Sequence, residues 1–255
     1  MKTKNLDCIL KDQGFNDFLF LLEDLSKIDD LIKIKISSDK IFMYSMKGQN
    51  NAILAFKNYY VDTIDFIDKL NVEENIDIII PNAKKFVKNL KFIDTKSTIN
   101  LSLKTKPLNE GGLEVRGLEI KNKKLKLKWM TAEQYEMKNI EYPSLMTLLD
   151  IKNQRLSFDV SRTDFEDIKK LANINGSTLI EISSSNGKIL MSETSSWEME
   201  VDEIMDNTNI LYNINKNLLT FINDGTDSIK FHVFNNFILI RDNNSNVMVS
   251  FEQSY

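Results

Sequence analysis

The sequence predicts an α+β protein built from two copies of one unit. Two observations predict it. Ile34-Lys35-Ile36-Ser37-Ser38 returns as Ile180-Glu181-Ile182-Ser183-Ser184, and at the same spacing Leu19, Leu22, Leu25 and Ile28 meet Phe165, Ile168, Leu171 and Ile174. Past the turn, Ile41-Phe42-Met43 meets Ile189-Leu190-Met191, so the second copy carries two extra turn residues. Each copy reads as an amphipathic helix running into a β-hairpin, and one such unit in each half of a chain marks a duplication. Two copies are too few for a solenoid, so a closed assembly is expected.

The elements follow in order. Residues 15–28 read as a helix, because Phe18, Leu22 and Leu25 recur at helical spacing while Leu21 and Ile28 widen the stripe. Strands are expected at 32–37, 40–46 and 52–60, the first two joined by the Ser38-Asp39 turn, and at 76–80. Pro81 and Asn82 end that strand and open a helix at 83–93. Strands at 98–105 and 113–120 flank Asn109-Glu110-Gly111-Gly112. At 123–130, Leu125, Leu127 and Trp129 alternate with Lys124, Lys126 and Lys128, the mark of a half-buried strand.

Residues 131–154 have no clean period and contain Pro143, so an extended connector is expected there. The domains then run 1–135 and 155–255, with 136–154 between them. The second domain opens with a strand at 155–160 and a helix at 163–172, introduced by Ser161-Arg162-Thr163-Asp164 in the manner of a capping box. Strands at 179–183 and 188–193 flank Asn186-Gly187, a type I′ hairpin signal. Strands at 197–201 and 210–214 follow, then a short helix at 216–222 capped by Asn215, then a meander at 228–234, 237–241 and 246–251. The halves share one order, and a large antiparallel sheet with two helices on one face is expected.

Bulk properties narrow the function. At 255 residues, with 42% hydrophobic and 27% charged residues, the chain has the balance of an ordinary globular protein with room for two domains. Net charge is −4, so the whole molecule is no basic nucleic-acid coat and the distribution of charge matters more than its sum. Cys8 is the only cysteine, which fits a reducing compartment. The N-terminal residues carry no apolar signal core, and runs such as 18–22 are too short to span a membrane. A soluble cytoplasmic protein is expected, with no membrane partner.

Catalytic chemistry is sparse. His232 is the only histidine, and strand alternation places it beside Lys230 on a polar, solvated side. The chain shows no Cys/His metal spacing, no glycine-rich dinucleotide fingerprint and no phosphate-binding loop. Carboxylates group at Asp29-Asp30 and at Asp164, Glu166 and Asp167. These groups sit at helix ends, where negative charge complements the dipole. A carboxylate-metal enzyme therefore stays only as an outside reading; no cofactor and no catalysis are expected.

Basic chemistry is present on helices. Lys84, Lys88 and Lys91 share one face of the second helix with Lys85 at its margin, opposite Phe86, Val87, Leu90 and Ile93. The third helix sets Lys169 and Lys170, with Arg162 at its start, opposite Phe165, Ile168 and Leu171, and the fourth carries Lys216. Any one such face reads equally as a solvated helix surface. Recurrence in both halves of an acidic chain favours a localised phosphate-facing surface. The first helix departs, since Asp17, Glu23 and Asp24 outnumber Lys27. No basic strand interleaved with aromatics calls for base stacking, so sequence-independent contact with duplex phosphates fits best.

The order of elements resembles the sliding clamps of DNA replication, in particular the two-domain, trimer-forming clamps of tailed bacteriophages and of the proliferating cell nuclear antigen type. Residues 31–46 resemble that family's first hairpin, 165–171 followed by 180–183 resemble its second-domain counterpart, and 229–251 resemble its last strands. Residues 107–154 match least. The resemblance implies antiparallel sheets outside a ring and two helices per domain lining it. It also implies double-stranded DNA, a DNA polymerase, a clamp loader and the chain itself, as a homotrimer, as partners. A partner-binding pocket under the connector and beside the C-terminus would fall on Met46, Met137, Ile140, Tyr142, Pro143, Leu145, Met146, Phe251 and Tyr255. Each of these residues reads equally as core or linker packing, though a groove lined by Met and aromatics suits several peptides. If the chain is viral, the compartment is the host cytoplasm. The runner-up is a phage structural or assembly ring protein, which has no need of lysine faces.

Overall fold

The structure, a computed structural model, describes residues 4–49, 52–68, 74–108, 111–176, 178–193, 196–204, 209–222, 227–242 and 245–251. The chain falls into two compact units, one of Met1–Met46 with Lys57–Tyr142 and one of Lys47–Phe56 with Pro143–Tyr255.

The first unit opens with β1 (Lys4–Leu10) and α1 (Asp12–Leu25), followed by β2 (Leu31–Ile36), β3 (Lys40–Gln49, here as far as Met46) and β4 (Ala52–Asp62, here from Lys57). A single turn, α2 (Thr63–Phe66), precedes β5 (Ile76–Pro81) and α3 (Ala83–Leu90), and β6 (Ile99–Pro107), β7 (Leu113–Lys121) and β8 (Lys126–Met130) complete it. Its strands lie in the order β1-β6-β7-β5-β2-β3-β4, with β8 on β7. The contact of β5 with β7 is parallel, a departure from the antiparallel expectation, and it is short, at Ile76 and Asp77 against Leu113 and Glu114.

One continuous apolar core fills this unit. Leu22 and Leu25 of α1 and Phe86, Val87 and Leu90 of α3 pack on Ile32, Ile34, Ile76, Ile78 and Ile80 of the sheet. The helix α1 begins and ends three residues earlier than its stripe predicts. Its first turn lies close against α2, where a Cβ on Gly14 would come 2.3 Å from the Asp65 carbonyl oxygen, and only glycine permits that approach. At α3, Asn82 sits in the left-handed region and gives no side-chain cap. Asp30 does that work: its carbonyl accepts from Ala83 N at 3.0 Å and its carboxylate from Lys84 N at 3.1 Å. A carboxylate among the free N–H groups of a helix start is favourable on both counts.

After α4 (Tyr142–Leu148), the second unit holds β9 (Leu156–Ser161), α5 (Arg162–Ile174), β10 (Leu179–Ser185), β11 (Lys188–Glu193), β12 (Trp197–Glu203), β13 (Leu211–Asn215), β14 (Ser228–Val233), β15 (Phe237–Asp242) and β16 (Ser245–Ser250). One sheet runs β12-β11-β10-β13, and another runs β16-β15-β14-β9 with residues 52–56 of β4 next to β16. Ser161 caps α5 through Asp164 N, and Asn186 and Gly187 both have positive φ, as the I′ turn requires. The expected fourth helix is instead a 3₁₀ helix at Lys216–Phe221, capped by Asn215. Phe158 stacks on Phe231, with ring centroids 5.0 Å apart, above Phe165, Ile168 and Ile182 in the core.

The duplication is visible in burial. Ile34 and Ile180, Ile36 and Ile182, Leu22 and Ile168, and Met43 and Met191 are buried alike. The exception is the last helical pair, since Ile28 is 4% exposed and Ile174 80%. His232 corrects the sequence reading. It is 8% exposed, because Gln154 covers it and bonds its Nδ1 at 2.6 Å.

Candidate nucleic-acid and partner interfaces

The helix α3 buries Ala83, Phe86, Val87 and Leu90 and turns Lys84, Lys85 and Lys88 to solvent. None of these three has an ion pair among the described residues. Lys91 is engaged, 2.7 Å from Glu23 of the neighbouring α1. The α1 surface is also less acidic than the sequence implies, because Asp24 points inward. It is buried with Lys57, which it pairs, and accepts from the Tyr59 hydroxyl at 2.6 Å. Burial would push the Asp24 carboxyl up, but Lys57, Tyr59 and Lys27 together hold it below the usual range.

The basic groups of the second unit are more engaged. Lys169 lies 2.6 Å from Glu166 and over the Phe165 ring, and Lys170 lies 2.8 Å from Asp167. Lys216 donates to the Ala172 carbonyl at 3.3 Å and so ties the 3₁₀ helix to α5. Arg162 is exposed at the helix start. Surface pairs of the i,i+3 kind are weak and exchange readily for a stronger anion.

The stretch 137–142 is strapped to the first unit's hairpin. Met137 is buried. The Tyr44 hydroxyl donates to the Lys138 carbonyl at 2.8 Å and accepts from Ile140 N at 3.0 Å. Lys33 Nζ donates to Asn139 Oδ1 at 2.9 Å and lies 3.6 Å from Asp77, and Lys35 pairs with Glu141. Burial pushes the Lys33 ammonium down and the Asp77 carboxyl up, each opposed by the other's charge. The Tyr142 ring stacks on Tyr60 and meets Phe42 edge-on at 5.3 Å.

The extended connector is therefore corrected. Residues 142–148 are helical, and Pro143 lies in the first turn, where a missing N–H removes no helix bond. Leu145 is buried, Met146 half-buried and Pro143 exposed, while Leu148 is 58% exposed. Met46 and Ile140 are half-buried. In the second unit Phe251 stacks on Tyr212 with centroids 3.9 Å apart, and Arg155 donates to the Tyr212 hydroxyl at 2.7 Å. Tyr255 lies outside the described residues. Sequence reasoning missed Phe42, Tyr44, Tyr60 and Tyr212. The signal was there for the first three, as aromatics clustered on both strands of one hairpin.

No protein-family model matches the chain, and no curated protein matches it. Solved structures do. A DNA polymerase sliding clamp from Pseudomonas aeruginosa matches 98% of this chain with 67% of its own, at 12% identity and a TM-score of 0.70. The Helicobacter pylori beta clamp, solved bound to a DNA ligase peptide, matches 99% with 68% of its own, at 14% identity and a TM-score of 0.64. PCNA from Thermococcus kodakaraensis matches 96% with 100% of its own, at 17% identity and a TM-score of 0.63. The chain has the fold of the DNA polymerase sliding clamps, as its element order led us to expect. It spans about two thirds of the bacterial clamps and the whole of this PCNA.

Proposed function

We propose that this protein is a non-catalytic sliding clamp: a ring that encircles duplex DNA and tethers the replicative polymerase. The observation that carries the reading is a match of the clamp fold along nearly the whole chain and the whole of one PCNA chain. Three copies of a two-unit chain close the ring head to tail, which uses up edge strands that would otherwise invite aggregation. The domains are an N-terminal and a C-terminal clamp domain joined through 136–154.

Lys84, Lys85 and Lys88 are the foremost DNA-facing groups, with Lys91, Arg162, Lys169, Lys170 and Lys216 added as their local partners yield to phosphate. Phosphate contact without base readout holds the ring loosely and lets it slide. Specificity then belongs to a peptide site on Met46, Met137, Ile140, Tyr142, Pro143, Leu145, Met146, Phe251 and Tyr255, shared by polymerase and clamp loader. The rings of Phe42 and Tyr60, packed against Tyr142, support it. The protein works in the cytoplasm, that of the host if it is viral.

Topology is the test. The chain at micromolar concentration is mixed with nicked circular duplex, gel-filtered, and the DNA then cut once. A clamp stays with the circle and is lost from the cut DNA. Equal retention on both forms contradicts encirclement.

A further inference from the structure

Two phenylalanines stand in water on the helix surface that carries the free lysines. Phe20 of α1 is 59% exposed, and Phe92, one residue past Lys91 at the end of α3, is 78% exposed. The core stripe of α1 does not claim Phe20. Leu21, Leu22 and Leu25 are buried, while Gln13, Asn16, Asp17, Phe20 and Lys27 form the solvent face. Glu23, one turn after Phe20, reaches Lys91 at 2.7 Å. That ion pair puts both rings beside one α1–α3 junction. Exposed apolar side chains that gather in one place, rather than scatter singly, call for an occupant.

Charge is divided across that junction. On α3, Lys84, Lys85 and Lys88 face solvent with no ion pair among the described residues. On α1, exposed Asp17 shares a face with Phe20 one turn on, and Gln13 Nε2 donates to it at 3.3 Å. Lys27 is engaged by Asp24 at 3.1 Å. Phosphate is therefore drawn to α3 and turned away from α1. A duplex presents phosphate rows on its outside and keeps its base faces stacked within, so it has nothing flat and apolar to lay on these rings. A single strand carries phosphates along one side and free base faces along the other. That is the complement of a lysine row beside exposed aromatics.

We propose that the α1–α3 surface of the first unit binds single-stranded DNA, with the backbone along Lys84, Lys85 and Lys88 and bases stacked on Phe20 and Phe92. The inference rests on reading this lysine face as DNA-facing, and it adds a ligand that duplex phosphate contact does not call for. Each ring is a stacking platform indifferent to the identity of the base, and the lysines add attraction that salt screens. The site is confined to the first unit. The corresponding helix of the second unit, α5, exposes Ile174 but no aromatic, because its one ring, Phe165, is buried. An aliphatic side chain has no π face on which a base can stack.

The experiment uses the full chain with a fluorescent oligo(dT) of about 16 nucleotides and a duplex of the same length, read by anisotropy across salt. The parent should bind the single strand more tightly than the duplex. Phe20→Ala with Phe92→Ala should weaken oligo(dT) binding about tenfold, leave its salt slope unchanged and leave duplex binding unchanged. Phe20→Leu with Phe92→Leu keeps apolar area without a π face and should lose most of the same affinity. Lys84→Ala, Lys85→Ala and Lys88→Ala together should flatten the salt slope for both ligands. Oligo(dT) binding by the alanine pair equal to the parent's, or an equal loss of both ligands, overturns the stacking site. A native mass that falls when the rings are replaced identifies a second copy as their occupant and overturns it as well. A parent that stays on nicked circular duplex but ignores oligo(dT) overturns this site and leaves the clamp standing. One that binds oligo(dT) as predicted but slips off the intact circle overturns the clamp and leaves the site.

Discussion

Tyr142 stacks face to face on Tyr60, with ring centroids 3.7 Å apart and planes 9° from parallel. The contact holds Tyr142 on β4, both rings lying within the first unit. It joins the Tyr44 hydroxyl, which holds both Lys138 and Ile140. A segment without extended-strand pairing is thus held by side chains of the first unit, Tyr44 and Tyr60 together with Lys33 and Lys35.

That stack makes a prediction about partners. Tyr142→Ser and Tyr60→Ala should each lower affinity for the cognate polymerase's C-terminal peptide by about tenfold, the scale of a removed aromatic pair with its burial. Titration calorimetry reads the affinity and native mass reads the assembly, which should be unchanged. Peptide binding equal to the parent in both variants places the groove elsewhere.

On the proposed clamp reading, the lysine faces should contribute unequally to DNA contact. Lys84→Ala, Lys85→Ala and Lys88→Ala together should make log affinity fall less steeply with log salt, by up to about 0.9 in slope for each phosphate no longer neutralised. Lys169→Ala with Lys170→Ala should do less, because those lysines first have to leave Glu166 and Asp167. A larger change from the second pair than from the first three would reverse this assignment.

The Asp24–Lys57 pair should matter for stability. Asp24→Asn leaves a buried ammonium without its counter-charge and should cost about 3–5 kcal/mol in denaturant unfolding. Since the folded carboxyl sits below its ordinary value, the unfolded chain takes up a proton first. The stability from Asp24 is present above about pH 4 and lost as pH falls through the folded value. The gap between parent and variant should therefore close in acid; a gap that widens there contradicts the assignment.

His232 gives a second pH dependence. Burial, then the charges of Lys230 and Arg241, push the imidazole below its ordinary value. A depressed pKa means the unfolded chain binds the proton first, so this stability is complete above about pH 6.5 and lost as pH falls. Thermal melts at about pH 7.5 and about pH 5.5, on either side of that value, should show a smaller drop for His232→Gln than for the parent. An equal drop would show that His232 is not the group titrating.

What the sequence showed and hid follows the range of the forces. The stripe of α1 and the alternation of β8 are local patterns, and both were legible. Strand β1 was not, since its apolar Leu6, Cys8 and Leu10 gain meaning only through β6, far along the chain. Lys33 and His232 alternate onto polar faces, yet are buried because distant residues, Asn139 and Gln154, lie over them. The helix α4 is two turns at most, too short to display a period, and Pro143 disguised it. The lysine faces were legible as residue types. Which of them are already paired was not, because the acids one turn away read the same whether they bind lysine or water.

Light scattering of the full chain in low salt bears most directly on the closed ring. With a chain mass of 29.6 kDa, a closed trimer requires a species of three times that mass, unchanged as concentration rises further. A chain that stays monomeric at high concentration, or grows without limit into filaments, contradicts the closed ring.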